Sequence, residues 1–411
     1  MSRSRSSHRT SARQTVTTAL AIASTAALVA ACGSSSTAST SPSASAADTA
    51  SSAPAAAASS APADTSSASP MASSAAPMDS SAAPTAGTSS AAGATGGAIK
   101  KGLKVYFIPK DTQNPYEVLA DKGGQKALTE LGGTVTVSSG TADTAAAQIP
   151  SIQAAIQAHA DAIVIAANDP SALCPSLNQA ARSGIKVVAF DSDLSCGSTP
   201  SHLFVNQADT QTIGTSEVDL LAKEIGSKGQ IAILSAAASA TNQNAWIGYM
   251  KQQLAKYPNM KLVSTVYGND DPATSLTVLQ GLLSAYPHLA GIISPTTVGI
   301  STAAQYLDTH KSLLKTLTLT GLGLPSQMKS YVKDGTVKSF ELWNPSNLGY
   351  LAGYAAASLA SGTASLTTGS TFPAGMLKTY TVLAPTASTG PSIVLGPPTV
   401  FDAANIDQFN F

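Results

Sequence analysis

Strand-like apolar runs alternate with amphipathic stretches of helical length from Lys104 onward. The first of the helical stretches begins at Asn114 and Pro115, an N-cap residue followed by a proline at the first helical position. Mostly apolar strands separated by helices predict a parallel sheet that is covered on both faces. The strand-like runs of this part are LKVYFIP, TVTVSS, DAIVIAA and KVVAF.

The same alternation restarts after residue 207. A second series of strand-like runs follows, each preceded by a helical stretch: QIAILSA, KLVSTVYG, AGIISP and TLTLTGLG. A further strand, VKSFELWNPSN, and a last helix, NLGYLAGYAAASLASG, precede an irregular tail that contains TYTVL and SIVLG. A single sheet of about nine strands would be unusually large. The pattern therefore favours an α/β fold of two doubly wound lobes.

Composition sets the first hundred residues apart from the rest. Residues 33–99 are almost entirely Ser, Ala, Thr, Pro and Gly, and they contain no aromatic residue. Such a segment buries too little apolar surface to offset the entropy of ordering its backbone, so we predict a disordered tether over 32–99. The formal net charge is zero, and charged residues are scattered singly through the remainder. This distribution argues against nucleic acid as a partner.

The N-terminus has the features of an export signal. Four arginines precede an apolar segment, Val16 to Ala31, that is short for a bilayer span. The segment ends in LVAAC at Cys32, and this motif resembles the lipobox of bacterial lipoproteins. The resemblance implies that 1–31 is a signal peptide and that lipidated Cys32 anchors the chain to the extracytoplasmic face of the cell membrane. The alternative is an ordinary secretory signal with an incidental cysteine.

The two other cysteines, Cys174 and Cys196, belong to the part that is predicted to fold. An exported protein lies in a disulfide-permissive compartment, so an even remainder predicts one disulfide. The short loop it closes would stabilise the fold by about 3 kcal/mol in the chain-entropy model. Neither cysteine has a neighbouring Cys or His, which argues against a zinc site, and we predict no metal.

Polar and aromatic residues collect where the predicted strands end. In doubly wound sheets, ligands bind beyond the carboxyl ends of the strands, so these residues are the candidate ligand contacts. They are Lys110, Asp111, Asn114, Tyr116, Asp191, Asp193, Asn242, Gln243, Pro295, Thr296, Thr297, Trp343 and Asn344.

Enzymatic interpretations find little support in this set. A strand followed by Asp191-x-Asp193 resembles phosphotransferases of the haloacid dehalogenase type, but those enzymes need further acidic residues and a lysine at later strand ends. Here the later ends carry Asn, Gln, Pro, Thr and Gly, and the chain has no G-x-S-x-G, H-E-x-x-H or P-loop motif. We therefore predict a binding protein that is not an enzyme and needs no cofactor.

The residue types instead suit a sugar. Carboxylate, amide and ammonium groups near aromatic faces match a ligand with several hydroxyls and an apolar face. Residues 100–411 contain a single arginine, Arg182, so bidentate forks for a phosphate or a multi-carboxylate ligand are lacking.

Residues 100–411 resemble the type 1 periplasmic binding proteins, the sugar-binding subunits of bacterial ABC transporters. The matching stretches include FIPKDTQNPY, ALCPSLNQAARSGIKVVAFDSD, IISPTTVG and GLGLPSQMKSYVKDGTVKSFELWNPSNLGYL. The resemblance implies a monomer whose hinged lobes close on a sugar and dock on a membrane permease. It assigns 100–207 and 343–378 to the N-terminal lobe, and 208–342 and 379–411 to the C-terminal lobe.

Two branches of the family remain as alternatives. The autoinducer-2-binding pattern resembles Lys110, Asp191, Gln243 and Pro295, but that branch has an aspartate where this chain has Asn242. It also differs at Thr297 and Asn344. The stretches around Tyr116 and Trp343 resemble the rhamnose-binding proteins instead, so we predict rhamnose or a similar aldose as the ligand, with autoinducer-2 as the alternative.

Overall fold

The structure is a computed structural model that describes residues 97–198, 201–386 and 389–411. The predicted signal peptide, Cys32 and nearly all of the predicted tether lie outside these residues. The first half of the described chain alternates strands and helices, which are β1 (Lys104–Ile108), α1 (Pro115–Glu130), β2 (Thr134–Val137), α2 (Ala145–Gln157), β3 (Ala162–Ile165), α3 (Cys174–Arg182), β4 (Lys186–Phe190) and β5 (His202–Asn206).

The alternation continues through the second half. Its elements are α4 (Thr210–Ile225), β6 (Gly229–Ser235), α5 (Thr241–Gln253), β7 (Met260–Tyr267), α6 (Pro272–Ala285), β8 (Leu289–Ser294), α7 (Thr297–Thr309), β9 (Thr318–Gly321), α8 (Pro325–Lys333), β10 (Ser339–Leu342) and α9 (Pro345–Ser361). Short strands follow in the tail, which are β11 (Thr371–Pro373), β12 (Thr379–Thr381), β13 (Ser392–Val394) and β14 (Thr399–Asp402).

Two parallel sheets organise these elements. The first has the order β2-β1-β3-β4-β5-β13 and the second the order β7-β6-β8-β9. Two antiparallel pairs, β10 with β14 and β11 with β12, complete the described strands. In the first sheet Ile108 lies opposite Ile165, and Phe190 lies opposite Val205. This register brings the carboxyl ends of the central strands to one edge, as the alternation of strands and helices predicts.

Both faces of the first sheet are covered. Consecutive residues of β1 point to opposite faces of the sheet, so Phe107 and Ile108 belong to different buried clusters. On one face α1 and α9 pack closely, because Gly123 and Gly349 leave no side chain between the helices; a Cβ at Gly349 would lie 1.8 Å from the carbonyl oxygen of Ala120. The continuously apolar strands of the sequence are thus explained by burial on both sides.

Two strands differ from the sequence prediction. The sequence pattern assigns no strand to His202–Asn206, but these residues form the buried strand β5 beside β4. Ser392–Val394 pairs with β5, so it lies in the first sheet and not in the C-terminal lobe, where the boundary at residue 379 places it. A three-residue strand at a sheet edge has too short a pattern to be recognised. The chain passes to the second group of elements after Val394, where β14 pairs with β10.

A pair of buried glutamates lies where the chain crosses between the two parallel sheets. Glu217 on α4 and Glu341 on β10 are both fully buried, and neither oxygen of Glu217 has a hydrogen-bond partner among the described residues. Burial raises the pKa of Glu341 to about 8, although the Ser216 hydroxyl donates a hydrogen bond to it. Burial and then Glu341 raise the pKa of Glu217 well above its usual range.

This pair predicts that stability falls as the pH rises. The folded protein keeps a proton on Glu341 up to pH about 8, whereas the unfolded chain releases it near pH 4.5. The free energy of unfolding should therefore decrease between these values, by roughly 3 kcal/mol from pH 4.5 to 7 for this group. Urea unfolding of Glu341→Gln should show a shallower decrease across the same range. An unchanged pH dependence in that variant would contradict this assignment.

Candidate ligand-binding site

The carboxyl ends of strands from both parallel sheets face a common cavity. Strands β1 and β4 lead to Lys110 and Asp191, while β6 and β8 lead to the first turns of α5 and α7. The cavity that these segments line has a volume of about 30 Å³, room for about one water molecule. A monosaccharide is larger than this volume.

Asp191 is the centre of the polar network in this cavity. Asp191 is 3% exposed and has a φ of 59°, a left-handed conformation that aspartate adopts more readily than most residues. Lys110 Nζ lies 3.0 Å from Oδ2, and the Tyr116 hydroxyl donates to Oδ1 at 2.7 Å. The Asn242 amide donates to Oδ2 at 2.9 Å. This last hydrogen bond joins the two sides of the cavity, because Asn242 follows β6.

Aromatic side chains form a second wall. Trp343 follows β10, and its Nε1 donates to the Tyr116 hydroxyl at 2.7 Å. The rings of Tyr116 and Trp343 meet edge to face with centroids 6.2 Å apart, and Trp246 on α5 lies 5.9 Å from Trp343. Both tryptophans and Tyr116 line the cavity. The wall therefore offers apolar ring surface beside the polar network.

The side of the cavity that follows β6, β7 and β8 contributes mostly uncharged side chains. The backbone amide of Gln243 donates to Asn242 Oδ1 at 2.9 Å, which holds the Asn242 amide nitrogen toward Asp191. The Thr296 hydroxyl donates a hydrogen bond to Asp270 Oδ1. Gln243 Oε1 is enclosed and has no hydrogen-bond partner among the described residues. Amide groups on this side can thus donate to a ligand as well as accept from it.

Burial shapes the charges of the cavity. Burial alone would lower the pKa of Lys110, but Asp191 and then Glu117 hold it above its usual range. Burial, followed by Asp191, raises the pKa of Glu117 well above its ordinary value. Burial also raises the pKa of Asp270. Asp191 thus keeps Lys110 charged, whereas burial disfavours the charged forms of the other two carboxyl groups.

Most of the predicted contacts come together around this cavity. They lie on five separate segments, which only the folded chain brings within reach of each other. The predicted residues that line it are Lys110, Asn114, Tyr116, Asp191, Asn242, Gln243, Pro295, Thr296, Thr297 and Trp343.

Asp111, Asp193 and Asn344, also predicted as ligand contacts, do not line the cavity. Asp111 Oδ1 accepts hydrogen bonds from the backbone amides of Gln113 and Asn114. Asn344 is the N-cap of α9, and its side chain accepts from the backbone of Asn347. These aspartate and asparagine side chains stabilise turns and helix ends, a role that the same residue types fill as readily as ligand binding.

Asp193 likewise turns away from the cavity. Its Oδ1 lies 2.8 Å from His202 Nε2 and accepts from the backbone amide of Leu194. Asp191 and Asp193 therefore do not face one cavity, whereas the phosphotransfer alternative needs both at one substrate, the first as nucleophile and the second as acid. Within the described residues, no group of three or more His, Cys, Asp and Glu side chains could hold a metal ion.

Five residues that line the cavity are not among the predicted ligand contacts. Glu117 lies inside α1, and Asp270 lies three residues beyond β7. Trp246 lies on α5, where it both packs in the core and lines the cavity. An acidic residue in a first helical turn was the available signal for Glu117. The residues missed are Glu117, Trp246, Asp270, Leu322 and Leu342.

The predicted disulfide is present. Cys174 and Cys196 are bonded, with their Cα atoms 5.4 Å apart. It ties the start of α3 to the loop that follows β4. Because that loop begins with Asp191, the bond restrains the segment that presents the central carboxylate of the cavity.

Among the described residues, no helix is both long enough and apolar enough to cross a membrane. Residues 105–364 match the family model described as periplasmic binding protein domain. One similar solved structure is an ABC transporter solute-binding protein from Clostridium phytofermentas with bound L-rhamnose. It is 37% identical, with a TM-score of 0.72, over 75% of this chain and 98% of that one.

Two further relatives differ in ligand. LsrB from Clostridium saccharobutylicum in complex with AI-2 is 26% identical, with a TM-score of 0.70, over 75% of this chain and all of that chain. The xylitol-binding protein of Mycolicibacterium smegmatis is 26% identical over 152 residues, which are 37% of this chain and 42% of that protein. The chain thus matches less than half of that curated relative. The fold is the type 1 periplasmic binding protein fold, and the chain belongs to the periplasmic binding protein domain family, among the solute-binding proteins of ABC transporters.

Proposed function

We propose that this chain captures a sugar, rhamnose or a similar aldose, in the cavity between its two sheets and delivers it to an ABC permease. The observation that carries the proposal is the Asp191 network. Its buried carboxylate is held by Lys110, Tyr116 and Asn242. Together these groups offer hydrogen-bond acceptors and donors beside the Trp343 ring. Sugar hydroxyls can replace the protein groups that now satisfy Asp191, and ring surface suits an apolar sugar face.

Closure of the two sides is the mechanism in this proposal. The Asn242–Asp191 hydrogen bond joins them in the present conformation. A sugar that bridges the same two residues stabilises the closed form, which shifts an existing open–closed equilibrium. The closed form then docks, as a monomer, on the permease.

A fluorescence titration tests the sugar assignment. The chain contains two tryptophans, and both line the cavity, so the intrinsic emission reports on it directly. L-rhamnose should change the emission saturably, while sugars of other stereochemistry should bind more weakly. If autoinducer-2 changed the emission and rhamnose did not, the chain would be a signal receptor. The similarity to LsrB keeps that second candidate in the test.

An activity assay separates the binding proposal from the enzyme alternative. Magnesium-dependent phosphatase activity that disappears in Asp191→Asn would replace the sugar assignment by phosphotransfer. We expect none, because the neighbouring carboxylate, Asp193, is hydrogen-bonded to His202 and does not line the cavity.

Lipid anchoring at Cys32 belongs to the same proposal. The LVAAC motif and the family's extracytoplasmic role support it, and a tether of this length has a root-mean-square reach of roughly 45 Å. In a bacterial host that lipidates exported proteins, wild-type chain should fractionate with membranes, and Cys32→Ser should appear in the soluble fraction. Release of both proteins to the soluble fraction would exclude the anchor.

A further inference from the structure

Glu117 presents a deeply buried carboxyl group to the cavity. The residue is 1% exposed and lines the cavity. Its Oε2 is fully enclosed and has no hydrogen-bond partner among the described residues. A buried polar group without a partner is costly. The cavity is therefore the side from which a partner can come.

The position of Glu117 explains why it is available. A glutamate three residues after the N-cap usually accepts from the backbone amide of the N-cap residue. Here the N-cap is Asn114, and its backbone amide donates to Asp111 Oδ1 at 2.7 Å. Asp111 thus takes the role that Glu117 would fill in an ordinary capping box, and the Glu117 side chain turns to the cavity.

The surrounding charges favour a neutral carboxyl group. Glu117 faces Asp191 after β4, Lys110 and Asp111 after β1, and Asp121 on its own helix. Lys110 is the cation of this set, and its ammonium lies 3.0 Å from Asp191. Asp143 and Asp270 face the same lysine. A single positive charge cannot balance all of these carboxylates, so burial favours protonation of those without a direct partner.

We infer that Glu117 is a specificity-determining residue that is protonated in the closed cavity and donates a hydrogen bond to an oxygen atom of the bound sugar. This inference rests on the proposed function and adds the ligand group that the site selects. A neutral carboxyl group has one donor, whereas a carboxylate has none. The site therefore prefers a ligand that presents an acceptor oxygen to α1, and it excludes one that presents only an apolar carbon there.

Proton uptake on binding follows from this role. Opening of the cavity would admit water to Glu117 and remove the burial that raises its pKa. Closure buries the group beside Asp191 and raises the pKa. Sugar binding should therefore take up a proton, and affinity should fall as the pH rises above the ordinary glutamate range, by at most about tenfold per pH unit.

Calorimetry in buffers of different ionisation enthalpy measures that uptake. Titration of the wild-type protein with L-rhamnose at pH 7, in phosphate and in Tris, should show proton uptake of at most about one proton per sugar bound, in proportion to the fraction of ligand-free protein that is open. Glu117→Gln should lose the uptake and the pH dependence of affinity. Glu117→Ala, which removes the donor as well, should weaken binding by about tenfold. Glu130→Gln, at the far end of the same helix and outside the cavity, should keep the wild-type uptake.

The outcomes separate this inference from the proposed function. Sugar binding without proton uptake, or equal uptake in wild type and Glu117→Gln, overturns the inference and leaves the sugar assignment intact. Equal uptake in both would assign the proton to Asp143 or Asp270. Failure of the wild-type protein to bind any sugar overturns both.

Discussion

Asp191→Ala is expected to weaken sugar binding by at least about 100-fold. The substitution removes the acceptor that joins Lys110, Tyr116 and Asn242, and it leaves the Lys110 ammonium buried without a partner. Removing one member of a buried charge pair typically costs about 3 to 5 kcal/mol. Calorimetric titration of the variant with the sugar that binds wild type measures the effect.

Asp193→Asn is the matched control for this result. It lies two residues further along the same loop, outside the cavity, and asparagine keeps the acceptor for the Leu194 amide and for His202. We expect its affinity to stay within about threefold of wild type, since surface and remote changes usually have small effects. Circular dichroism should confirm that both variants are folded. A folded Asp191→Ala protein with affinity within tenfold of wild type would contradict the central role of Asp191.

Asn242→Asp should open the ligand-free protein. Asn242 now donates a hydrogen bond to Asp191 across the cavity at 2.9 Å. An aspartate at position 242 would bring a second carboxylate next to Asp191. Like charges about 4 Å apart repel by about 4 kcal/mol at an effective dielectric constant of 20. The open form should then predominate, and small-angle X-ray scattering should show a larger radius of gyration above pH 7. Acidification should restore closure, because a protonated aspartate can donate again.

Asn244→Asp provides the comparison for that experiment. Asn244 lies on the same helix, is exposed, and donates its side-chain hydrogen bond to the backbone oxygen of Ala238. It adds the same charge without facing Asp191, so its radius of gyration should equal that of wild type. If Asn242→Asp were as compact as Asn244→Asp at pH 8, the Asn242–Asp191 bond would not control closure.

The alternation of apolar and amphipathic segments predicts most of the architecture. Strands buried on both faces, such as β3 and β4, have long apolar patterns that depend little on distant residues. Strand β13 is different, because its three residues are specified by pairing with β5 rather than by their own sequence. His202 is buried in β5 beside Asp193, in a segment where the sequence pattern assigns no strand. Long-range contacts decide such short segments.

The sequence predicts where the site lies more completely than which side chains line it. The rule that ligands bind at the carboxyl ends of parallel strands locates Lys110 and Asp191, because topology alone brings those ends together. The rule cannot separate ligand contacts from helix caps, which is why Asp111 and Asn344 were included. It also overlooks residues inside helices. Glu117 faces the cavity only because Asp111 occupies its usual capping partner, and that contact depends on the folded loop.

A crystal structure of the protein grown with L-rhamnose tests the sugar assignment most directly. We predict electron density for one sugar between Asp191 and Asn242, with its apolar face on Trp343 and the direct Asn242–Asp191 bond replaced by hydroxyl contacts. Density at another place, or a cavity that remains closed by that bond at saturating rhamnose, would contradict the proposal that the cavity between the two sheets is the rhamnose site.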